Sequence, residues 1–137
     1  MKKTVNLSFL YVILAMAGGV FYREFTKLSA FDGRTTLAFV HTHLFLLGMI
    51  MLLIVTFCIK LFQIQESKKF KIFLWIYNPG VLLTSIMLMI RGILQVNQTE
   101  LSTAMNGMIS GISGIGHILT GIGIVIFFLM LKERIKE

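Results

Sequence analysis

The sequence predicts an all-α membrane protein: one transmembrane domain over residues 1–137, a four-transmembrane-helix bundle with both termini in the cytoplasm. Three observations carry that prediction. First, 56% of the 137 residues are hydrophobic and only 14% are charged, with mean hydropathy +0.86, outside the range of soluble domains. Second, the apolar residues fall into four runs, each near the roughly 20 residues that cross a bilayer as a helix. Third, the Lys and Arg residues cluster beside those runs. Anionic headgroups and membrane topology therefore account for the net charge of +7, and nucleic acid is not an expected partner.

The first helix is expected over about 5–22, apolar apart from Asn6, Ser8 and Tyr11 and ending before Arg23-Glu24. Lys2-Lys3, the apolar stretch and Ala15-Met16-Ala17 also match a cleaved signal peptide, which would remove residues 1–17. The run continues through Gly18-Gly19-Val20-Phe21-Tyr22, which favours a full crossing with an aromatic interface anchor. Arg23 to Arg34 mix charge with Ser29, Asp32 and Gly33, the composition of a loop. Thr35 or Thr36 can cap the second helix, expected over about 36–62. A lysine-rich loop from Gln63 to Lys71 leads to the third, about 70–95, where Pro79 removes one backbone hydrogen bond and should bend the helix. After the polar loop Asn97 to Asn106, the fourth helix is expected over about 107–131.

Orientation follows from the basic residues. Lys2, Lys3, Lys60, Lys68, Lys69, Lys71, Lys132, Arg134 and Lys136 fall on one side, and Arg23, Lys27, Arg34 and Arg91 on the other. Nine against four places both chain ends in the cytoplasm.

That orientation puts all three histidines in the outer half of the bilayer, where an ionisable side chain is costly and is by default a functional hypothesis. His41 and His43 lie roughly 8 to 11 Å down the second helix and His117 roughly 15 Å down the fourth, at about 1.5 Å per residue. Residues two apart on a helix differ by about 200°, so His41 and His43 serve different partners. Gly48 lowers the surface below His41 and admits a neighbouring helix or a flat ligand. On the fourth helix Ser110, Ser113, Gly114, His117, Thr120 and Gly121 share one side. Gly107, Gly111 and Gly114 suit a close helix–helix seam; alternatively, the small residues make room for a porphyrin beside an axial histidine. Arg91 either snorkels to the headgroups or pairs with a buried anion, and Thr84 and Tyr77 share its side. Together with Arg34 and Arg23 it would hold the propionates of a haem b whose iron is ligated by His117 and one of His41 and His43.

The stretch Phe39-Val40-His41-Thr42-His43-Leu44-Phe45-Leu46-Leu47-Gly48 resembles the His-x-His helix of haem-copper oxidases and nitric oxide reductases, in which the two histidines serve different haems. The resemblance spans about ten residues. The chain has four helices rather than twelve and no further histidine cluster for copper or non-haem iron, so oxygen or nitric oxide reduction is not expected. Over nearly its full length the chain also resembles a group of small four-span bacterial membrane proteins of unknown function, which share Asp32-Gly33-Arg34 and His41-Thr42-His43. That resemblance implies a multi-pass protein of the bacterial cytoplasmic membrane and no established activity.

The expected function is therefore a membrane haem b protein with a redox, gas-binding or haem-handling role, and with a quinol or another redox protein as partner. Two alternatives stand beside it. One is a scaffold or transport subunit whose histidines only hydrogen-bond between helices, or join a homo-oligomer. The other is a copper or similar site built from His and Met, with Met89, Met105 and Met108 toward the outer side.

Overall fold

The computed structural model describes residues 1–135; Lys136, one of the nine basic residues counted above, and Glu137 lie outside that range. Among the described residues all regular structure is helical. The four long helices are α1 (Lys2–Leu28), α2 (Leu37–Phe62), α3 (Phe70–Val96) and α4 (Thr103–Arg134), with a short 3₁₀ turn at Ile64–Glu66. Each is long and apolar enough to cross a membrane.

The first and fourth helices extend beyond the expected limits at both ends, most at the end of α1 and the start of α4. α1 continues six residues past Tyr22, because Arg23, Glu24 and Lys27 lower hydropathy without lowering helix propensity. It stops where Ala30 takes a left-handed conformation, φ 46°. α4 starts at Thr103 rather than 107, because the Ser102 hydroxyl accepts from the Met105 amide at 3.2 Å and so caps the helix. At the start of α2 it is Thr35 that accepts from a helical amide, Leu37 N at 3.3 Å. Both threonines also tie this end of α2 to α3: Thr35 donates to Gly92 O at 3.0 Å and Thr36 to Leu88 O at 2.8 Å.

The helices run alternately up and down. α1 packs along α2, α3 packs most extensively along α4, and α2 with α3 joins the two pairs. Both ends of the described chain lie at the lysine-rich end. There Thr56 donates to Thr4 Oγ1 at 2.8 Å, Lys69 pairs with Glu133 at 2.6 Å, and Arg134 pairs with Glu66.

The close seam of α4 is not the one expected. A Cβ added at Gly107, Gly111 or Gly114 would meet nothing within 4 Å. The packed glycines are Gly116 and Gly123, set against Thr84 and Tyr77 of α3, with Gly80 of α3 receiving Leu119 and Thr120 in return. Thus α4 carries two small-residue faces, and Gly116, Thr120, Gly123, Phe127 and Met130 turn inward. α3 stays one continuous helix through Pro79, whose ring is exposed.

The core centres on Tyr11, Phe73 and Tyr77, each no more than 1% exposed. In an apolar interior a phenol needs a partner. Tyr11 donates to Asn78 Oδ1 at 3.1 Å and Tyr77 to Leu47 O at 2.7 Å. The outer surface presents Phe9, Val20, Phe57, Trp75, Ile118 and Val125, the apolar coat that a bilayer covers.

Candidate functional site: a histidine pair between α2 and α4

Helix α2 is α-helical from Leu37 to His43 and π-helical from Leu44 to Ile50. π turns are rare and recur at functional sites, because the wider turn displaces backbone groups that must find other partners. Here Tyr77 of α3 donates to Leu47 O, and Ser8 of α1 donates to Met49 O at 3.0 Å. The ring of Tyr11 fills the space over Gly48, so the low surface at that glycine admits a neighbouring helix. The π segment begins immediately after the His-x-His stretch.

His43 Nδ1 lies 2.8 Å from Phe39 O, and His117 Nδ1 lies 2.9 Å from Ser113 O. A carbonyl oxygen only accepts, so each Nδ1 carries a proton, and the tautomer this selects is the one with its lone pair on Nε2. Metal-binding histidines are commonly held this way, with the far nitrogen fixed by a backbone or carboxylate oxygen. The two ring centroids are 6.4 Å apart and the planes cross at 83°. Two metal–nitrogen bonds of about 2 Å plus the two ring radii span about 6 Å between centroids, so the separation suits one metal between two imidazoles.

The surroundings differ around the pair. The backbones of α2 and α4 come close mainly along Met51–Phe62, toward the lysine-rich end. Along the same stretch an apolar groove of about 380 Å³ runs between the helices, from Leu46 and Leu47 at its histidine end to Cys58 and Leu131 at the other. Leu46, Leu47 and Ile50 form one wall, Ile124 and Phe128 the other, and Tyr77 lines it from α3. It begins within about one helical turn of His43. Beside His117 itself, Gly114 and Gly121 leave open space, and the His117 ring is exposed.

On the other side of the pair, Arg91 reaches from α3 across to α4. Its Nη2 donates to Ser110 Oγ at 2.6 Å and Asn106 Oδ1 at 3.1 Å. Ser110 precedes His117 by seven residues and shares its face. Thr84 and Tyr77, at seven-residue steps from Arg91, are buried against Gly116 and Gly123 and are packing residues.

The remaining candidates lie elsewhere. His41 faces α1, where a Cβ on Gly19 would sit 3.7 Å from the His41 Cβ and Cγ. Its Nδ1 is buried and has no hydrogen-bond partner among the described residues. His41 and His43 therefore address opposite seams, as their spacing requires. Arg34 is exposed and lines a separate cavity where α1, the loop and α2 meet. Arg23 lies 3.8 Å from Glu24. Met105 and Met108 are exposed. Among the described residues no three His, Cys, Asp or Glu side chains gather to hold a metal. The geometry thus offers two neighbouring imidazoles rather than a full protein ligand set.

The π segment beside the histidines is not legible in the sequence. Its run Leu44-Phe45-Leu46-Leu47-Gly48-Met49-Ile50 carries no composition signal distinct from an ordinary apolar helix. The nearest clue was a glycine seven residues after His41.

No curated protein matches the chain, and no solved structure does either. By a match that covers residues 1–134, the chain belongs to the family described as Protein of unknown function (DUF2871).

Proposed function

We propose that this protein is a membrane-embedded haem b-binding protein in which His43 and His117 would hold the iron. The observation that carries the proposal is the pair itself: two imidazoles 6.4 Å apart, each with Nδ1 bonded to the carbonyl one turn back. Histidine is a regular protein ligand of haem iron, and two imidazoles would serve where a full metal site of side chains is lacking. When bound, the haem would supply one-electron redox or gas-binding chemistry. The chain's own residues fix the two ring orientations through Phe39 O and Ser113 O, present an apolar groove on one side, and hold a guanidinium on the other. Arg91 is suited to a propionate, because a planar fork pairs bidentately with a carboxylate. Gly114 keeps the space beside His117 free of a side chain.

By the count of basic residues, the pair lies in the outer half of a bacterial cytoplasmic membrane, with both termini inside. A quinol or a second redox protein would be the electron partner.

A second reading rests on the same two hydrogen bonds. Each Nδ1 is satisfied within its own helix, which a packing histidine in a scaffold or transport subunit also requires. A visible spectrum of the purified protein separates the two. The haem reading expects a Soret band that shifts on reduction. A colourless protein that gains no such band on incubation with haemin would overturn it.

A further inference from the structure

The cavity holding Arg34 has a chemistry of its own. It is about 290 Å³ and lies at the end opposite the lysine-rich one, where the last turns of α1, the loop before α2 and the end of α3 meet. Arg34, Tyr22 and Gln95 are among its lining residues, and each brings a donor that makes no side-chain hydrogen bond to another described residue: the guanidinium, the phenol hydroxyl and the amide nitrogen. The Gln95 amide is oriented by its neighbour. Thr36 N donates to Gln95 Oε1 at 2.7 Å, so Nε2 is the group left over. No carboxylate lines the cavity. Asp32, two residues before Arg34, is exposed outside it, and Glu24 sits beside Arg23 at 3.8 Å. A site with several donors, one cation and no acid selects an anion.

Its position says which kind. Phe39, 54% exposed, forms part of the wall. Tyr22 stands six residues before the end of α1, roughly 9 Å along the axis. The cavity thus opens where the apolar coat of the bundle meets its polar end, the level of the phosphates in a bilayer. A ligand with an anionic head and a hydrocarbon tail matches both walls; a free anion matches only one.

We infer that this cavity binds the phosphate of an anionic phospholipid, held by Arg34, Gln95 and Tyr22, with an acyl chain running down past Phe39. The inference stands on different residues from the histidine pair and does not depend on haem.

The test uses the full chain in a neutral detergent, with phosphatidylglycerol, phosphatidylcholine and inorganic phosphate as probes, read by native mass spectrometry and by thermal shift. Phosphatidylglycerol should remain bound and raise the melting temperature more than either other probe. Arg34→Gln should weaken that binding about tenfold, the loss expected for a charged hydrogen-bond donor. Tyr22→Phe should weaken it by a smaller factor, and Arg23→Gln should leave it unchanged. Helicity by circular dichroism checks that each variant is folded; should Arg34→Gln fail that check, Arg34→Lys and Tyr22→Phe decide. Equal retention of phosphatidylglycerol by the Arg34 and Tyr22 variants and the parent would overturn the assignment. So would equal stabilisation by phosphatidylcholine or by inorganic phosphate alone.

Discussion

Replacing His117 by Ala tests the ligand pair most directly. The variant removes one of two nitrogens whose rings stand 6.4 Å apart, and no other histidine replaces it, because His41 faces α1. Loss of a mere outer-shell partner of a metal ligand typically costs about 10- to 100-fold in affinity. Loss of the ligand itself should reach at least about 100-fold, or about 2.7 kcal/mol. The assay is haemin titration of the purified apoprotein, followed at the Soret band. His43→Ala should match His117→Ala, since each supplies one of two equivalent bonds, whereas His41→Ala should stay within about twofold of the parent. Free imidazole should restore the six-coordinate spectrum of His117→Ala, because the His117 side of the site is open beside Gly114 and Gly121. An unchanged six-coordinate spectrum in His117→Ala, or a larger loss in His41→Ala than in His43→Ala, would refute the assignment.

Further outcomes follow from the same geometry. Arg91→Ala should lower haem affinity less than His117→Ala, about tenfold at most, since it would remove only a propionate contact and the bonds to Ser110 and Asn106; a greater loss would mark the arginine as structural. Gly116→Ala should destabilise the bundle by about 1 to 3 kcal/mol in denaturant titration, because its Cβ would lie 2.8 Å from the Thr84 backbone nitrogen. Gly114→Ala, facing open space, should be close to neutral in the same titration. Tyr77→Phe should cost about 1 kcal/mol by leaving Leu47 O without its partner, and a shifted Soret band in that variant would show that the π segment positions His43. In a Cys58→Ala background, a membrane-impermeant maleimide applied to intact cells should label Asp32→Cys and spare Lys68→Cys, both exposed positions; the reverse pattern would invert the orientation inferred from basic residues.

The four spans were legible because hydropathy is a local sum: each run of about 20 apolar residues declares itself without reference to its neighbours. Helix ends were less so. Arg23, Glu24 and Lys27 leave the apolar run yet keep the helix going, since charge changes solvation more than backbone preference. The divergence of His41 and His43 was also legible, being fixed by the 3.6-residue repeat alone.

Which histidine meets His117 was not. The repeat sets angles within a helix but not the rotation of that helix against its neighbours. In water, an apolar stripe would reveal the inward face; in lipid, both faces are apolar and the signal is lost. For this reason α4 shows two small-residue faces in the sequence, and only packing against Thr84 and Tyr77 turns Gly116 and Gly123 inward and leaves Gly107, Gly111 and Gly114 outward. The same holds for Gly48, whose neighbour turned out to be Tyr11, and for the π segment, whose displaced carbonyls are met by Tyr77 and Ser8 from two other helices. The sequence by itself determined four membrane-crossing helices and two histidines pointing apart. The tertiary structure decided that His43 faces His117, because helix rotation in an apolar solvent is chosen by steric fit and buried hydrogen bonds, which exist only once the helices have met.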